Sequence, residues 1–261
     1  RTRYSLPIDY YRNTQKNWAA IMEKGGWVVQ HLSNHDSARQ VSCYGSDGEY
    51  RTRSAKLLGT LTHTMPGIPF VYQGEEIGMT NAGYTSINQY GDVESTNYFA
   101  ILRSEGKSVE EALHIIGERS RDNGRTPMQW DASPKAGFTT GEPWLPVNPN
   151  CAEINAEAQV DDPNSVFAHY QGLIRLRHES DLVVHGHFHL LEPENEELFV
   201  YERKLDGQKM LVVCNFTDRD MAYQVPAEYG QATLVQEACN YADAPHPGTV
   251  RPYEAFALLL G

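Results

Sequence analysis

Apolar residues in the first part of the chain alternate between helix-like and strand-like spacing. From residue 9 to residue 24 they recur every three or four positions, which predicts a helix that ends at Gly25-Gly26. Residues 27–32 form a short apolar run, as in a parallel strand that is covered on both faces. A second helix is predicted before Pro66-Gly67, and a second buried strand over residues 68–73. This order of elements predicts a parallel α/β architecture.

Two helix-start signals accompany these patterns. Ser46 and Glu49 have the spacing of a capping box, so the second helix is predicted to begin there. Asp162-Pro163 predicts the N-cap and the first residue of a later amphipathic helix. Between the second predicted strand and this later helix the periodicity of apolar residues is weaker. Two shorter helices are predicted there, over residues 93–103 and 108–121.

The last part of the chain changes to a period of two, which is typical of strands. Residues 198–204 and 210–216 flank Asp206-Gly207, a turn pair that predicts a β-hairpin. Further strands are predicted over residues 233–236 and 255–260. The sequence therefore predicts an antiparallel all-β sandwich domain after the α/β part.

These patterns divide the chain into two predicted domains. Residues 1–182 form the α/β domain, with an insertion around residues 80–155, and residues 183–261 form the all-β domain. Two parallel strands alone would leave an unpaired edge and an uncovered face. Further strands are therefore expected before Arg1, and the chain is interpreted as the C-terminal portion of a longer protein.

Composition narrows the function classes. The formal net charge of -12 argues against a nucleic-acid partner, because phosphate binding requires clustered cations. No run of about 18 apolar residues is present, so no membrane association is expected. The four cysteines lie far apart without C-x-x-C spacing, which favours reduced thiols in a cytoplasmic protein. A soluble, globular protein fits these properties, and they do not exclude a neutral ligand.

Two motifs, "SNHD" and "QGEE", lie where the predicted parallel strands end. Side chains at the carboxyl ends of such strands commonly carry the chemistry of α/β folds. His35 and Asp36 can share a site only if the strand has already turned at Asn34, and we predict that it has. A buried hydrogen-bonded pair or an N-cap arrangement remains the alternative for these two residues.

Glu75 and Glu76 resemble a paired acid and base, but neighbours in sequence diverge, whereas a retaining glycosidase pair must face one bond from both sides. We therefore predict a structural role, with one carboxylate hydrogen-bonded near the site and the other turned away. In "SRDNGRTPMQW" the arginines could bind a carboxylate or sugar hydroxyls, although a loop salt bridge from Arg121 to Asp122 or a neighbour is the commoner arrangement.

His185, His187 and His189 alternate along a predicted strand and would share one face. Strand histidines bind zinc in some enzymes, but these three have no supporting carboxylate nearby and lie away from the strand ends. We therefore predict no metal site here and no cofactor.

Three segments together carry a family resemblance: "SNHDSAR", "MPGIPFVYQGEEIGMTN" and "SRDNGRTPMQWD". They resemble the α-glucosidase branch of the α-amylase family of glycoside hydrolases, particularly oligo-1,6-glucosidases, dextran glucosidases and trehalose-6-phosphate hydrolases. The resemblance covers essentially the whole chain. It implies the C-terminal part of a (β/α)8 barrel, with its last two strands and their helices, followed by the all-β domain. The missing N-terminal half of the barrel is then the partner of these residues.

The resemblance also assigns roles to individual residues. Asp36 matches the third carboxylate of the family's catalytic set, which stabilises the transition state, and His35 matches the histidine that holds the hydroxyls of the cleaved glucosyl ring. Arg125 matches an arginine that recognises the non-reducing-end glucose. Glu94 matches an acidic residue that narrows the entrance and contacts the leaving-group sugar. Ser37-Ala38 replace the Gln-Pro that is common in relatives, which alters the loop but removes no catalytic group.

The implied function is exo-acting, retaining hydrolysis of terminal α-linked glucose from a small oligosaccharide or disaccharide, with α-1,6 links of isomalto-oligosaccharides as the expected substrates. Trehalose-6-phosphate hydrolase, sucrose isomerase or another transglycosylase, and a non-catalytic relative with a role in assembly are the alternatives. The family's nucleophile and general acid follow barrel strands four and five, which these residues do not include. The residues alone are therefore expected to be inactive, and they do not determine the preferred linkage or phosphorylation of the substrate.

Overall fold

The computed structural model describes residues 8–261. Its first part has the predicted order of helix, strand, helix and strand, with one additional short helix before the long second one. These elements are α1 (Ile8–Met22), β1 (Val29–Gln30), α2 (Gln40–Tyr44), α3 (Arg51–Thr64) and β2 (Ile68–Pro69). Within residues 8–261, no helix is both long and apolar enough to cross a bilayer.

Strands β1 and β2 pair in parallel, with Val29 opposite Ile68. Each is much shorter than the six residues predicted, because a strand extends only as far as a partner continues its ladder. Burial on both faces was also wrong for the described residues, since Phe70 is 56% exposed and Val29 and Ile68 are also solvent-accessible. These apolar side chains form the surface that further barrel strands are expected to cover.

The N-cap of helix α3 lies four residues later than predicted, and the capping box at Ser46 was wrong. Tyr50 occupies the N-cap position without a side-chain bond. The backbone N–H of Ser46 instead donates to the Ser54 hydroxyl at 2.9 Å, and that hydroxyl donates back to the Ser46 carbonyl at 3.1 Å. These two hydrogen bonds hold the loop at Ser46 against helix α3. They depend on Ser54, which lies outside the Ser-x-x-Glu capping pattern.

The insertion contains the two predicted helices together with short turns. Asp92 and Ser108 accept backbone N–H bonds at the starts of the two longer helices, and Ser108 forms a complete capping box with Glu111. The predictions over 93–103 and 108–121 are therefore confirmed to within two residues. The helices are α4 (Val93–Ser104), α5 (Val109–Arg119), α6 (Asp122–Arg125) and α7 (Glu157–Val160).

Helix α8 (Val166–Glu179) closes the α/β part by packing along α3. Its predicted start at Asp162-Pro163 was wrong, because the Ser165 hydroxyl caps the helix by accepting from Ala168 N at 3.0 Å. Gly59 allows close contact between the two helices, since a Cβ there would lie 2.8 Å from the ring of Tyr170. Helix α9 (Asp181–His185) then leads into the β domain.

The C-terminal part is built on a five-stranded sheet with the order β3-β4-β5-β9-β7, and a separate pair β6-β8 lies beside it. The predicted hairpin is confirmed, and Asp206 and Gly207 both take positive φ (48° and 86°), as its tight turn requires. The strands are β3 (His187–Leu191), β4 (Leu198–Leu205), β5 (Gln208–Asn215), β6 (Met221–Ala222), β7 (Thr233–Leu234), β8 (Thr249–Val250) and β9 (Ala255–Leu260).

Alternation along β4 explains how the sheet is covered on both faces. Phe199 and Tyr201 join the core formed with helices α3 and α8, whereas Leu198 and Val200 join a second core with the β6-β8 pair. The buried Arg203 donates to the carbonyls of Thr64 at 2.5 Å and Gly186 at 2.6 Å. The first bond satisfies a backbone carbonyl at the C-terminus of α3. The two bonds together attach the sheet to helices α3 and α9.

Candidate active site

The chain turns sharply just after strand β1, as predicted. The Asn34 side-chain oxygen accepts from the Asp36 N–H at 2.8 Å, and the Asn34 carbonyl accepts from the Ser37 N–H at 3.2 Å. An asparagine side chain that bonds to the backbone two residues later is a common way to stabilise such a turn. The turn brings His35 Nε2 to 3.2 Å from an Asp36 carboxylate oxygen. The alternative of a buried pair was wrong, since these side chains are 72% and 53% exposed.

Arg125 lies against this turn although it is about 90 positions away in sequence. Its Nε donates to the His35 carbonyl at 2.7 Å, and an Nη donates to Asp36 Oδ1 at 2.8 Å. Arginine can make both bonds at once because its donors form a rigid planar fork. Three of the residues selected from the sequence therefore form one cluster.

Glu94 is connected to the same cluster through Arg121. The Arg121 guanidinium donates to both Asp92 carboxylate oxygens, at 2.9 and 2.7 Å. It also lies 3.4 Å from Glu94 Oε2 and 3.6 Å from Asp36 Oδ1. The bonds from Arg121 hold the pKa of Asp92 below its usual range. Arg121 therefore links Glu94 to the strand end.

The ion pair considered from Arg121 to Asp122 is replaced by this pairing with Asp92. Asp122 is buried and accepts the backbone N–H groups of Gly91 and Asp92, each at 2.9 Å. Sequence reasoning missed Asp92 as a site residue. In the structure Asp92 is the N-cap of α4, and no local signal shows that a capping carboxylate also pairs with a distant arginine.

An open pocket of about 310 Å³ lies beside the cluster. Its walls are charged and aromatic, and they include Asp36, Asp92, Glu94, Tyr98, Arg119 and Arg121. Carboxylates and guanidinium groups offer many acceptors and donors to sugar hydroxyls, and an aromatic ring can pack against a sugar face. The pocket is chemically suited to a polar, uncharged ligand.

Glu75 and Glu76 do not form an acid–base pair, which confirms the structural role predicted for them. Glu75 is buried and accepts from the Ser33 hydroxyl and, at 3.1 Å, from the Tyr72 N–H. Glu76 accepts from the Gly74 N–H at 2.7 Å instead. Burial raises the pKa of Glu75 to about 7, although both hydrogen bonds oppose the shift.

We expect Glu75 to make stability depend on pH. Its pKa of about 7 in the fold lies above the ordinary value of 4.5. The stabilising contribution of Glu75 to the free energy of unfolding is therefore fully present below pH 4.5. It is lost as the pH rises through 7, and the loss is roughly 3 kcal/mol. Thermal unfolding of wild type and Glu75→Gln at pH 5 and pH 8 measures this loss, because the amide does not titrate.

The control is Glu110→Gln, which changes an exposed carboxylate on α5. Wild type and this control should lose the same stability between the two pH values, and Glu75→Gln should lose less. Equal pH dependence in all three proteins would contradict the account of Glu75.

The histidine row predicted in the β domain is only partly formed. His187 and His189 share the exposed face of β3, but His185 ends helix α9, so the prediction of three histidines on one strand was wrong. In the part of the chain that the structure describes, no group of three His, Cys, Asp or Glu side chains could hold a metal ion. The four cysteines are free thiols.

Comparison with known families agrees with this geometry. Residues 3–186 match the family model described as the α-amylase catalytic domain, and residues 188–256 match the C-terminal domain of maltogenic amylase. The first match covers the strand ends and the whole cluster around Asp36. The second covers most of the antiparallel sheet.

Individual relatives agree with these family matches. An oligo-1,6-glucosidase of Halalkalibacterium halodurans is 46% identical over 96% of this chain, and a trehalose-6-phosphate hydrolase of Bacillus subtilis is 41% identical over 97%. The crystal structure of Bacillus licheniformis trehalose-6-phosphate hydrolase superimposes with a TM-score of 0.92 at 40% identity, covering 98% of this chain and 47% of that one. Trehalulose synthase from Pseudomonas mesoacidophila gives a TM-score of 0.86 at 36% identity, covering 98% of this chain and 48% of that one.

The chain spans less than half the length of these relatives, namely 45% of the first and 46% of the second. The predicted fold class is confirmed: the first part has the fold of the C-terminal portion of a (β/α)8 barrel, and an antiparallel β domain follows it. From the matched catalytic domain and these relatives, the chain belongs to the α-amylase family of glycoside hydrolases, in the group that includes oligo-1,6-glucosidases and trehalose-6-phosphate hydrolases.

Proposed function

We propose that these residues belong to a longer protein that is an exo-acting, retaining α-glucosidase, cleaving terminal α-1,6-linked glucose from isomalto-oligosaccharides. One observation carries the proposal: Arg125 binds the backbone of His35 and the carboxylate of Asp36 together, at 2.7 and 2.8 Å, at the end of a barrel strand. A fixed carboxylate, a cation and an imidazole that lie together at a strand end can hold several hydroxyls of one sugar ring.

In this proposal Asp36 stabilises the transition state instead of attacking the sugar. Its Oδ1 is already bound by Arg125 at 2.8 Å, which lowers its strength as a nucleophile. As the glucosyl ring gains positive charge, a fixed carboxylate that accepts its hydroxyls binds it more strongly. His35 shares the hydroxyl contacts. The nucleophile and the general acid, which must face the bond about 5 Å apart, are assigned to residues outside this chain.

Exo action is proposed to come from Arg125, which is held 2.8 Å from Asp36 and matches an arginine that recognises the non-reducing-end glucose. Arg121 joins Asp92, Glu94 and Asp36 into one wall of the pocket. Glu94, which is 74% exposed in its side chain, is placed to contact the leaving-group sugar.

Charge favours a neutral substrate over trehalose 6-phosphate, the alternative suggested by one of the relatives. A phosphate group needs cations that are free to bind it. Arg121, on the pocket wall, is already shared among Asp92, Glu94 and Asp36, and three carboxylates outnumber two arginines in the lining. This side of the site therefore repels a phosphorylated sugar.

Substrate comparison with the full-length protein tests the proposal. We expect glucose release from isomaltose with kcat/KM at least about tenfold higher than from trehalose 6-phosphate, the size of effect that one unmatched charged group produces. Faster cleavage of trehalose 6-phosphate would establish the alternative. Conversion of sucrose to an isomer would indicate a transglycosylase, and no turnover of any of the three would leave a non-catalytic role.

A further inference from the structure

Arg39 lies three residues after Asp36 and is almost completely buried, with 2% of its surface exposed. Its Nε donates to the Asn123 carbonyl at 2.8 Å, and one Nη donates to the Gln73 carbonyl at 2.5 Å. The other Nη donates to the Thr126 hydroxyl at 3.0 Å. The side chain therefore joins three segments that are far apart in sequence.

Two of these contacts flank Arg125 on both sides. Asn123 and Thr126 are close neighbours of Arg125 on the turn that helix α6 forms, and the Thr126 hydroxyl also donates to the Asn123 carbonyl at 3.0 Å. The same turn receives a further bond from the segment after β2, because the Tyr72 hydroxyl donates to the Gly124 carbonyl at 2.9 Å. Arg39 thus fixes the backbone on which Arg125 stands.

The ion pair between Asp36 and Arg125 cannot fix this geometry by itself. Asp36 is about half exposed, and an ion pair that is open to water is weak and poorly constrained. A buried guanidinium, in contrast, is costly to remove from water and keeps its place only if its donors are satisfied in their fixed planar directions. Space around it is also restricted, since a Cβ on Gly74 would lie 2.9 Å from Arg39 Nη.

We propose that Arg39 is a positioning residue, which sets the separation of Asp36 and Arg125 through bonds to the backbone on both sides of Arg125. The inference rests on the function proposed above and adds a determinant of its rate. Arg39 does not line the pocket beside Asp36, so it is expected to act through Arg125 and not by touching substrate. Its replacement shifts two groups that act on the same sugar ring.

Arg39→Lys in the full-length enzyme tests this role. Lysine keeps the charge but cannot bind both partner segments, the one at Gln73 and the one at Asn123 and Thr126, as the guanidinium does. We expect kcat on nitrophenyl α-glucoside to fall by about 100-fold with a smaller change in KM, since a displacement of about 1 Å has this effect on rate. In a background that already carries Arg125→Lys, the same change should add little further loss, because residues that act through one another are not additive.

Arg177→Lys is the matched control. Arg177 is likewise held by backbone carbonyls, those of His63, Met65 and Gly67, but at the opposite end of the barrel strands. This variant should lower the melting temperature and leave kcat unchanged. If Arg39→Lys does not fold, Thr126→Val removes a single hydroxyl partner and should reduce kcat several-fold while the protein stays folded.

The outcomes separate this inference from the proposed function. Normal kcat in Arg39→Lys or in folded Thr126→Val, or losses that multiply independently with Arg125→Lys, would overturn the positioning role while α-glucosidase activity remained. Absence of α-glucoside cleavage by the wild-type enzyme would instead refute the function on which the inference rests.

Discussion

Asp36→Asn in the full-length enzyme is expected to lower kcat by about 1,000-fold and to change KM by less than about tenfold. The asparagine keeps the shape of the side chain, and its amide oxygen can still accept a hydrogen bond from a sugar hydroxyl. It loses the negative charge that is needed when the glucosyl ring becomes positive in the transition state. Steady-state kinetics on nitrophenyl α-glucoside, with the melting temperature measured in parallel, separates this loss from misfolding.

Asp218→Asn serves as the control, because Asp218 is an exposed aspartate in the β domain, far along the chain from the strand ends. It should behave as wild type. Equal kcat in Asp36→Asn and wild type would show that Asp36 has no part in the chemical step. A rise in KM alone would show that it binds the ground state and the transition state equally.

Arg125→Lys is expected to reduce kcat/KM by about 100-fold, through both kcat and KM. The single ammonium of lysine cannot bind the His35 carbonyl and the Asp36 carboxylate at once, as the guanidinium does at 2.7 and 2.8 Å. The turn then loses its link to α6, and the non-reducing-end glucose loses a fixed partner. Kinetics on isomaltose and on nitrophenyl α-glucoside measure both effects.

The control for this change is Arg219→Lys, which alters an exposed arginine paired with Glu197 in the β domain. A surface pair of this kind contributes little, so both activity and stability should remain close to wild type. If Arg125→Lys also kept its kcat/KM, the pairing of Arg125 with Asp36 would be incidental to substrate recognition.

Local signals in the sequence were sufficient where an element depends on its own residues. The capping box at Ser108 located helix α5, and Asp206-Gly207 located the hairpin, because the bonds that define them join residues only a few positions apart. The same kind of signal failed at Ser46 and at Asp162-Pro163. There a rival serine hydroxyl, on Ser54 or Ser165, makes the decisive bond.

In the candidate active site, too, some features could be predicted from the sequence and others depend on distant residues. The turn at Asn34 could be predicted, since a strand cannot place adjacent residues in one site, and the family resemblance selected Arg125 and Glu94. The resemblance did not show that Arg121 pairs with Asp92, because that contact joins positions 29 apart in a variable insertion. The role of Arg39 also depends on contacts across 34 to 87 positions, which no local spacing records.

His35, Asp36 and Arg125 are proposed to hold one glucose ring in a site whose reacting carboxylates lie outside these residues. A crystal structure of the full-length enzyme with bound glucose tests this arrangement. We expect the ring hydroxyls within about 3 Å of the Asp36 carboxylate and the Arg125 guanidinium. A glucose that binds elsewhere, with these two side chains paired only to each other, would contradict the claim.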